Sequence, residues 1–172
     1  MKARLCLSMM LLISTAVLVC GQAGPKKPRA IEDYRPRTLH DVSAFQPDQA
    51  ASDPNFKNAR IIVQTAIIPS RVKVVYDGTK RPLLEIKKSV IEEWATEYAG
   101  APEFYTVPYE TEMLFVENGQ SYWLAVRKEF VPQFEQELKK GDPIELFLIK
   151  LGSARDGEEL APVLLVEKFL KP

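Results

Sequence analysis

The sequence predicts a small α+β domain, in which a mostly antiparallel, curved or barrel-like sheet of about six strands carries two covering helices. Short apolar runs alternate with polar residues between Gly and Pro boundaries, and two further segments have helical spacing. The predicted order β-β-α-β-β-α-β-β lacks the helix after every strand that a doubly wound parallel sheet requires. An OB-like, partly open barrel is one compatible arrangement, although its five strands and single helix leave the extra elements unexplained.

Composition excludes some classes of protein. The chain has 172 residues, of which 46% are hydrophobic and 27% charged, and these proportions are those of an ordinary globular domain. Residues 60–170 contain 14 basic and 18 acidic side chains, a net charge of −4. Because binding to nucleic acid requires a positive excess that offsets the phosphates, no nucleic-acid partner is expected.

Residues 1–23 have the layout of a secretory signal peptide. A basic start precedes an apolar run from Leu5 to Cys20, and small residues lead to a predicted cleavage after Ala23. The run is shorter than the roughly 20 residues of a membrane-spanning helix, although a retained anchor and lipidation at Cys20 are alternatives. Cleavage removes both cysteines, so the exported chain, periplasmic or secreted, is expected to have no disulfide.

Residues 24–59 are interpreted as a flexible leader, and residues 60–172 as one folded domain. The leader contains five prolines, few aliphatic residues and no helical or strand period. Its basic first part is a candidate for contact with anionic lipid, although a solvated spacer is the simpler interpretation.

The folded domain is expected to begin with two strands. Arg60–Ile68 is rich in β-branched residues, and Arg71–Tyr76 alternates in polarity up to Asp77-Gly78, which predicts a hairpin turn. Pro82–Ile86 is expected to add a short edge segment.

A helix is predicted next, because Ser89–Glu92 is a capping-box sequence and Gly100 is a suitable residue to end it. The expected buried face is Val90, Ile91, Trp94 and Tyr98, and the expected charged face is Glu92, Glu93 and Glu97.

Asn118-Gly119 predicts a hairpin between strands Thr111–Glu117 and Gln120–Val126, since both turn residues tolerate positive φ. This register places Phe115 opposite Tyr122 and Met113 opposite Leu124 on one face, with Leu114 opposite Trp123 and Glu112 near Ala125 on the other.

A second helix is predicted over Val131–Lys140, with Pro132 in its first turn and Gly141 after its end. Two apolar strands follow, Ile144–Leu151 and Pro162–Leu170, and both are expected to be central.

Residue types that support most catalysis are scarce. The one histidine, His40, lies in the leader, which argues against a Ser-His-Asp triad, and the usual zinc ligands are missing from the exported chain. No phosphate-binding or dinucleotide-binding motif occurs, so no cofactor is expected. The acidic segment Asp156–Glu159 is a candidate for weak Ca²⁺ binding, but it lacks the spacing of an EF-hand loop and fits a solubilising turn better.

Carboxylates offer one remaining catalytic alternative. Glu110 and Glu112 share one face of their strand and are the best candidates for a glycosidase-type acid and base. The helix carboxylates named above lie opposite the apolar face and are expected to be solvated.

Trp123, Leu114 and Glu112 form the candidate binding surface. Tyr122 and Trp123 must point to opposite faces, so with Tyr122 in the core an exposed Trp123 would be a contact for a peptide, glycan or lipid. The favoured alternative is that the second helix covers Trp123 with Phe130 and Phe134. A nearby basic cluster, interpreted as an edge that resists aggregation, is Arg71, Lys73, Lys80 and Arg81.

The sequence therefore predicts an exported, non-catalytic binding or assembly module of a bacterial-type cell envelope. Its expected partner is an unidentified protein, peptide or glycan, with no cofactor and no metal. Membrane contact is expected only through the basic leader or a lipidated Cys20. The alternatives are a small carboxylate-dependent hydrolase and a purely structural envelope protein.

Overall fold

A computed structural model describes residues 29–44, 59–99, 105, 108–157 and 159–171. The predicted signal peptide, Cys20 and the predicted helix end at Gly100 lie outside these residues. The strands are β1 Arg35–Pro36, β2 Ile61–Val63, β3 Ser70–Pro82, β4 Tyr109–Glu117, β5 Gln120–Arg127, β6 Pro143–Asp156 and β7 Glu159–Leu170. The helices are α1 Leu39–Ser43, α2 Glu85–Trp94 and α3 Val131–Glu137, with a 3-10 turn at Ile31–Asp33 and a π turn at Ala95–Ala99.

Among the described residues, seven strands form one mixed sheet in the order β1-β3-β4-β5-β7-β6-β2, and β3 also pairs with β6. The pairs β1–β3 and β5–β7 are parallel, and the remaining pairs are antiparallel. The predicted α+β class is confirmed, with seven strands instead of about six and three helices instead of two. β3 therefore pairs with both ends of the series β4-β5-β7-β6, with β4 at one end and with β6 at the other.

β3 is one long strand, so the hairpin predicted at Asp77-Gly78 is wrong. Its first half pairs with β6 from Ser70 to Val75, and its second half pairs with β4 from Val75 to Pro82. The register shifts between Tyr76 and Lys80, and Gly78 takes a φ of 87° there. A β-bulge and a tight hairpin turn each require a residue with positive φ, and Gly78 can supply it for either. The Asp-Gly sequence therefore does not distinguish between the two structures.

Two apolar cores lie on opposite sides of the sheet. The inner core contains the inward side chains of β3 to β7 together with Phe134 and Leu138 from α3 and its end. The outer core lies between α2 and the outward side chains of β5, β6 and β7, and includes Ala125, Ile149 and Leu165. None of the helices within the described ranges is long and apolar enough to span a membrane.

α2 begins four residues before the predicted start at Ser89. Its first residue is Glu85, and the Ser89 hydroxyl donates to the Glu85 carbonyl from inside the helix, at 3.2 Å. A serine in a helix can make this bond to the residue four positions back, so a capping-box sequence does not by itself locate a helix start. Val90, Ile91 and Trp94 are buried as predicted, whereas Tyr98 is exposed.

The Asn118-Gly119 hairpin is confirmed in full. Asn118 and Gly119 have φ values of 51° and 79°, and β4 and β5 pair in the predicted register. The four predicted cross-strand pairs are present: Phe115–Tyr122, Met113–Leu124, Leu114–Trp123 and Glu112–Ala125.

α3 and the last two strands have the predicted order but different ends. α3 ends at Glu137, before the predicted Lys140. β6 and β7 continue through most of the predicted polar loop and remain paired as far as Asp156 and Glu159. Both strands are central, as expected, because each pairs on two sides.

Residues 29–44 pack on the sheet, in contrast to the flexible leader expected over 24–59. β1 pairs in parallel with the start of β3. Tyr34 Oη donates to Glu167 Oε2 of β7 at 2.8 Å, and Arg29 forms an ion pair with the same carboxylate. Burial, followed by this hydrogen bond, raises the pKa of Tyr34.

α1 also contributes to the inner core, since Leu39 and Val42 are buried there. Two buried residues in one short helical turn give no detectable period, which explains why the sequence pattern did not show this helix. The other leader residues, 24–28 and 45–58, lie outside the described ranges.

Replacing Leu39 with Ala tests whether this segment belongs to the cooperative fold. Leu39 is fully buried, so Leu39→Ala should lower the free energy of unfolding by about 2–5 kcal/mol. The matched control is His40→Ala, which changes an exposed side chain and should stay within about 0.5 kcal/mol. Urea denaturation measures both, and equal stability of the two variants would contradict the packing of α1.

Candidate functional site

Trp123 lies on the outward side of β5, opposite Leu114 of β4, as the hairpin register predicts. Its ring is half-buried, and the Arg81 guanidinium lies over it at 4.2 Å from the ring centre. α3 does not cover this face, because Phe134 packs in the inner core against Tyr76 and Phe115. The favoured expectation that Phe130 and Phe134 cover Trp123 is therefore wrong.

Glu112 holds Arg81 in place over Trp123. The Glu112 carboxylate is 0% exposed and accepts a hydrogen bond from Arg81 Nε at 2.8 Å. It also forms an ion pair with Lys87 of α2, whose side chain is only 4% exposed. A buried carboxylate needs this compensation, because burial without a countercharge costs several kcal/mol.

The pair of carboxylates proposed for hydrolysis does not form. Glu110 is exposed, whereas Glu112 is buried, with one carboxylate oxygen accepting from Arg81 and the other from Lys87. The helix glutamates Glu92 and Glu93, like Glu97 after them, are exposed on α2. Glu112 is thus a structural countercharge that positions Arg81, and no acid–base pair is assembled from these candidates.

The other candidates for chemistry stay apart. His40 is exposed on α1, where its backbone N–H donates to Glu117 Oε2 at 3.2 Å. Asp156 and Glu159 face each other as the last pair of the β6–β7 hairpin, and Glu158 lies outside the described residues. Within the described ranges, no three His, Cys, Asp or Glu side chains are close enough to hold a metal ion.

The predicted basic cluster divides into two groups. Lys80 pairs with Glu135 of α3, and Arg81 pairs with Glu112 as described. Arg71 and Lys73 instead line a groove of about 530 Å³ between the end of β1 and the end of β4.

The same groove contains Arg37 and two carboxylates, Glu117 and Glu145. The sequence analysis missed Arg37, because no local pattern indicates that the segment after β1 lies beside β3. Lys150 lies close to this group, and burial, followed by the charge of Arg37, lowers the pKa of its ammonium.

No family model matches the chain, and neither a curated protein nor a solved structure is similar to it at a significant level.

Replacing Glu112 tests the role of the buried carboxylate. Glu112→Ala leaves the Lys87 ammonium buried without a countercharge, so the free energy of unfolding should fall by about 3–5 kcal/mol. The control Glu110→Ala removes an exposed carboxylate and should change it by about 0.5 kcal/mol or less.

A second variant separates the countercharge from simple loss of packing. Adding Lys87→Met to Glu112→Ala removes the unpaired ammonium, so the double variant should be more stable than Glu112→Ala alone in urea denaturation. A double variant that is less stable than the single one would show that the ion pair is not the main contribution of Glu112.

Proposed function

We propose that the chain is an exported, non-catalytic binding module, built on an OB-type, partly open barrel, with a ligand-binding face around Trp123. The observation that carries this proposal is the order of strands around β3. In chain order the five long strands are β3, β4, β5, β6 and β7, and their pairing order is β3-β4-β5-β7-β6 with a return to β3. This order supports a five-stranded Greek-key barrel of the OB type.

The chain has more strands and helices than the five strands and one helix of an OB-type barrel, and these additional elements lie outside the five long strands. β1 and β2 pair at the two ends of the sheet, and α2 packs on the outward side of β6 and β7. α3 lies between the third and fourth strands of the set and carries Phe134 into the inner core. The additional elements therefore decorate the five-stranded arrangement without interrupting its pairing.

OB-type domains bind oligosaccharides and oligonucleotides on the face of their second and third strands. In this chain those strands are β4 and β5, and their outward side chains include Leu114 and Trp123. Phe134 of α3 packs in the inner core, and Arg81 over the Trp123 ring gives the face both a planar apolar surface and a cation. Stacking on Trp and hydrogen bonding to Arg suit a glycan or a peptide.

The two alternatives have less support. A carboxylate hydrolase needs an acid and a base that can both reach the substrate, and Glu112 is buried between cations. A purely structural role explains the Arg81–Trp123 contact as a stabilising cation–π pair, but it assigns no use to the partly exposed position of Trp123 at the sheet surface. Export to the envelope rests on the layout of residues 1–23 in the sequence.

Fluorescence quenching tests whether the Trp123 face is accessible. The chain has two tryptophans, so Trp94→Phe leaves Trp123 as the sole reporter and Trp123→Phe leaves Trp94. Iodide should quench Trp123 several-fold more strongly, because Trp94 is 5% exposed and Trp123 lies beside the Arg81 cation.

Neutral acrylamide separates exposure from charge. It should still quench Trp123 more than Trp94, but with a smaller ratio than iodide. If both quenchers reach the two tryptophans equally poorly, the binding face does not exist and the structural role becomes the better proposal.

A further inference from the structure

The groove beside β3 lies between β1 and β4, which pair with different parts of the same side of β3. On the side away from β6, β1 pairs with Ser70 and Arg71, whereas β4 begins its pairing at Val75. In between, Lys73 pairs with β6 on one side only, within the part of the chain that the structure describes. The groove is thus a gap in the sheet that the fold itself creates.

Among the described residues, the cations of this groove form no ion pair with the two carboxylates that line it. Glu117 accepts backbone N–H bonds from Leu39 at 2.9 Å and from His40, so it caps the start of α1. Neither Arg71 nor Lys73 has an ion pair with another described residue. By contrast, Arg29, Lys80, Arg81 and Lys140 each form an ion pair with a carboxylate.

Further positive charge is fixed in the groove by Arg37 and close to it by Lys150. Arg37 Nη2 donates to the Asp41 carbonyl at 2.9 Å, and Lys150 Nζ donates to the carbonyls of Ser43 and Ala44 at 3.1 and 2.9 Å. Both cations are held by neutral carbonyl groups of α1, which do not cancel their charge. Burial, followed by the charge of Arg37, lowers the pKa of Lys150.

The groove is continuous with the Trp123 face. Lys73 and Val75 point outward from β3, Val75 is opposite Val116 of β4, and Leu114 lies two residues further along the same face, opposite Trp123. Val75 is 38% exposed, so an apolar strip connects the two places. Strand spacings put Lys73 and Trp123 roughly 16 Å apart, which suits an extended ligand and not a single small molecule.

The mixture of charges indicates the chemical class of this ligand. Arg71 and Lys73 can bind a carboxylate, and Glu145, opposite Lys73 in the register and without a hydrogen bond to another described residue, can accept hydrogen bonds from hydroxyl groups. An acidic polysaccharide carries both groups on every charged sugar. Single-stranded nucleic acid fits less well, because it is usually bound by several stacking aromatics in a groove without acidic side chains.

We propose that this groove binds the carboxylate of an acidic glycan, whose sugar chain continues across the apolar strip to Trp123. This inference rests on the proposed binding function and specifies its substrate class. Arg71 and Lys73 bind the acidic group, Glu145 binds hydroxyls of the same sugar, and Trp123 stacks on a neighbouring ring.

Calorimetric titration of the purified chain with hexagalacturonate tests this site. The double variant Arg71→Gln/Lys73→Gln should bind at least about tenfold more weakly, since it loses two charge-assisted contacts. The matched control is Lys128→Gln/Lys139→Gln, which removes two exposed cations away from the groove and should bind like the parent chain. If Arg71→Gln/Lys73→Gln does not fold, Lys73→Gln alone changes one exposed side chain and should still weaken binding severalfold.

Three results would overturn the inference. Equal losses in both double variants would show non-specific attraction to charge, and tighter binding of oligothymidylate than of hexagalacturonate would indicate nucleic acid as the ligand. No binding of hexagalacturonate at all would also reject it. In that last case, quenching of Trp123 shows whether the binding face itself persists, so failure of the substrate class can be distinguished from failure of the proposed function.

Discussion

The structure depends on the ability of β3 to pair with two different strands along its length. β3 pairs with β6 up to Val75 and with β4 from Val75 onward, with a register shift between Tyr76 and Lys80, so one continuous strand joins the two ends of the β4–β5–β7–β6 run. It is held there by contacts from the α3–β6 connection, where Gly141 N–H donates to the Tyr76 carbonyl at 2.8 Å and Tyr76 N–H donates to the Asp142 carbonyl at 3.0 Å. Lys140 Nζ adds an ion pair to Asp77 at 2.9 Å, and the pKa of this carboxyl is lowered by hydrogen bonds from Thr79 and Lys140.

Both surface features follow from where β3 pairs with β4. Within the paired stretch, Arg81 lies opposite Glu112 and reaches across β4 to the ring of Trp123 on β5. Before Val75, β3 has no partner in β4, and the resulting gap exposes Arg71 and Lys73. Burial of Glu112 against Lys87 fixes α2 to the sheet beside Arg81. The point at which pairing with β4 begins therefore separates two groups of cations that are neighbours in the sequence.

Short sequence patterns predicted those elements whose conformation is determined by residues close together in the sequence. The Asn118-Gly119 hairpin and its register were predictable, because positive φ at two consecutive residues permits few other structures. Asp77-Gly78 has the same local signal but the opposite outcome, since the partners of β3 lie 29 or more residues away (Pro82 with Thr111) and pair on both of its sides. The packing of Leu39 and the neutralisation of Glu112 are likewise long-range contacts, which alternation and helical spacing do not report. Trp123 and Leu114 were placed together by register alone, whereas Arg37 joins Arg71 and Lys73 only in three dimensions.

The central claim is that β3 is continuous and joins both neighbours. Cross-strand nuclear Overhauser contacts in the isotope-labelled chain test this most directly. Contacts of Val72 with Leu146 and of Arg81 with Glu112 should both be present in the same molecule. Contacts that pair Val74 with Arg81 across a turn at Asp77-Gly78 would contradict it, because that hairpin opens the strand order and removes both the groove and the stacked Arg81.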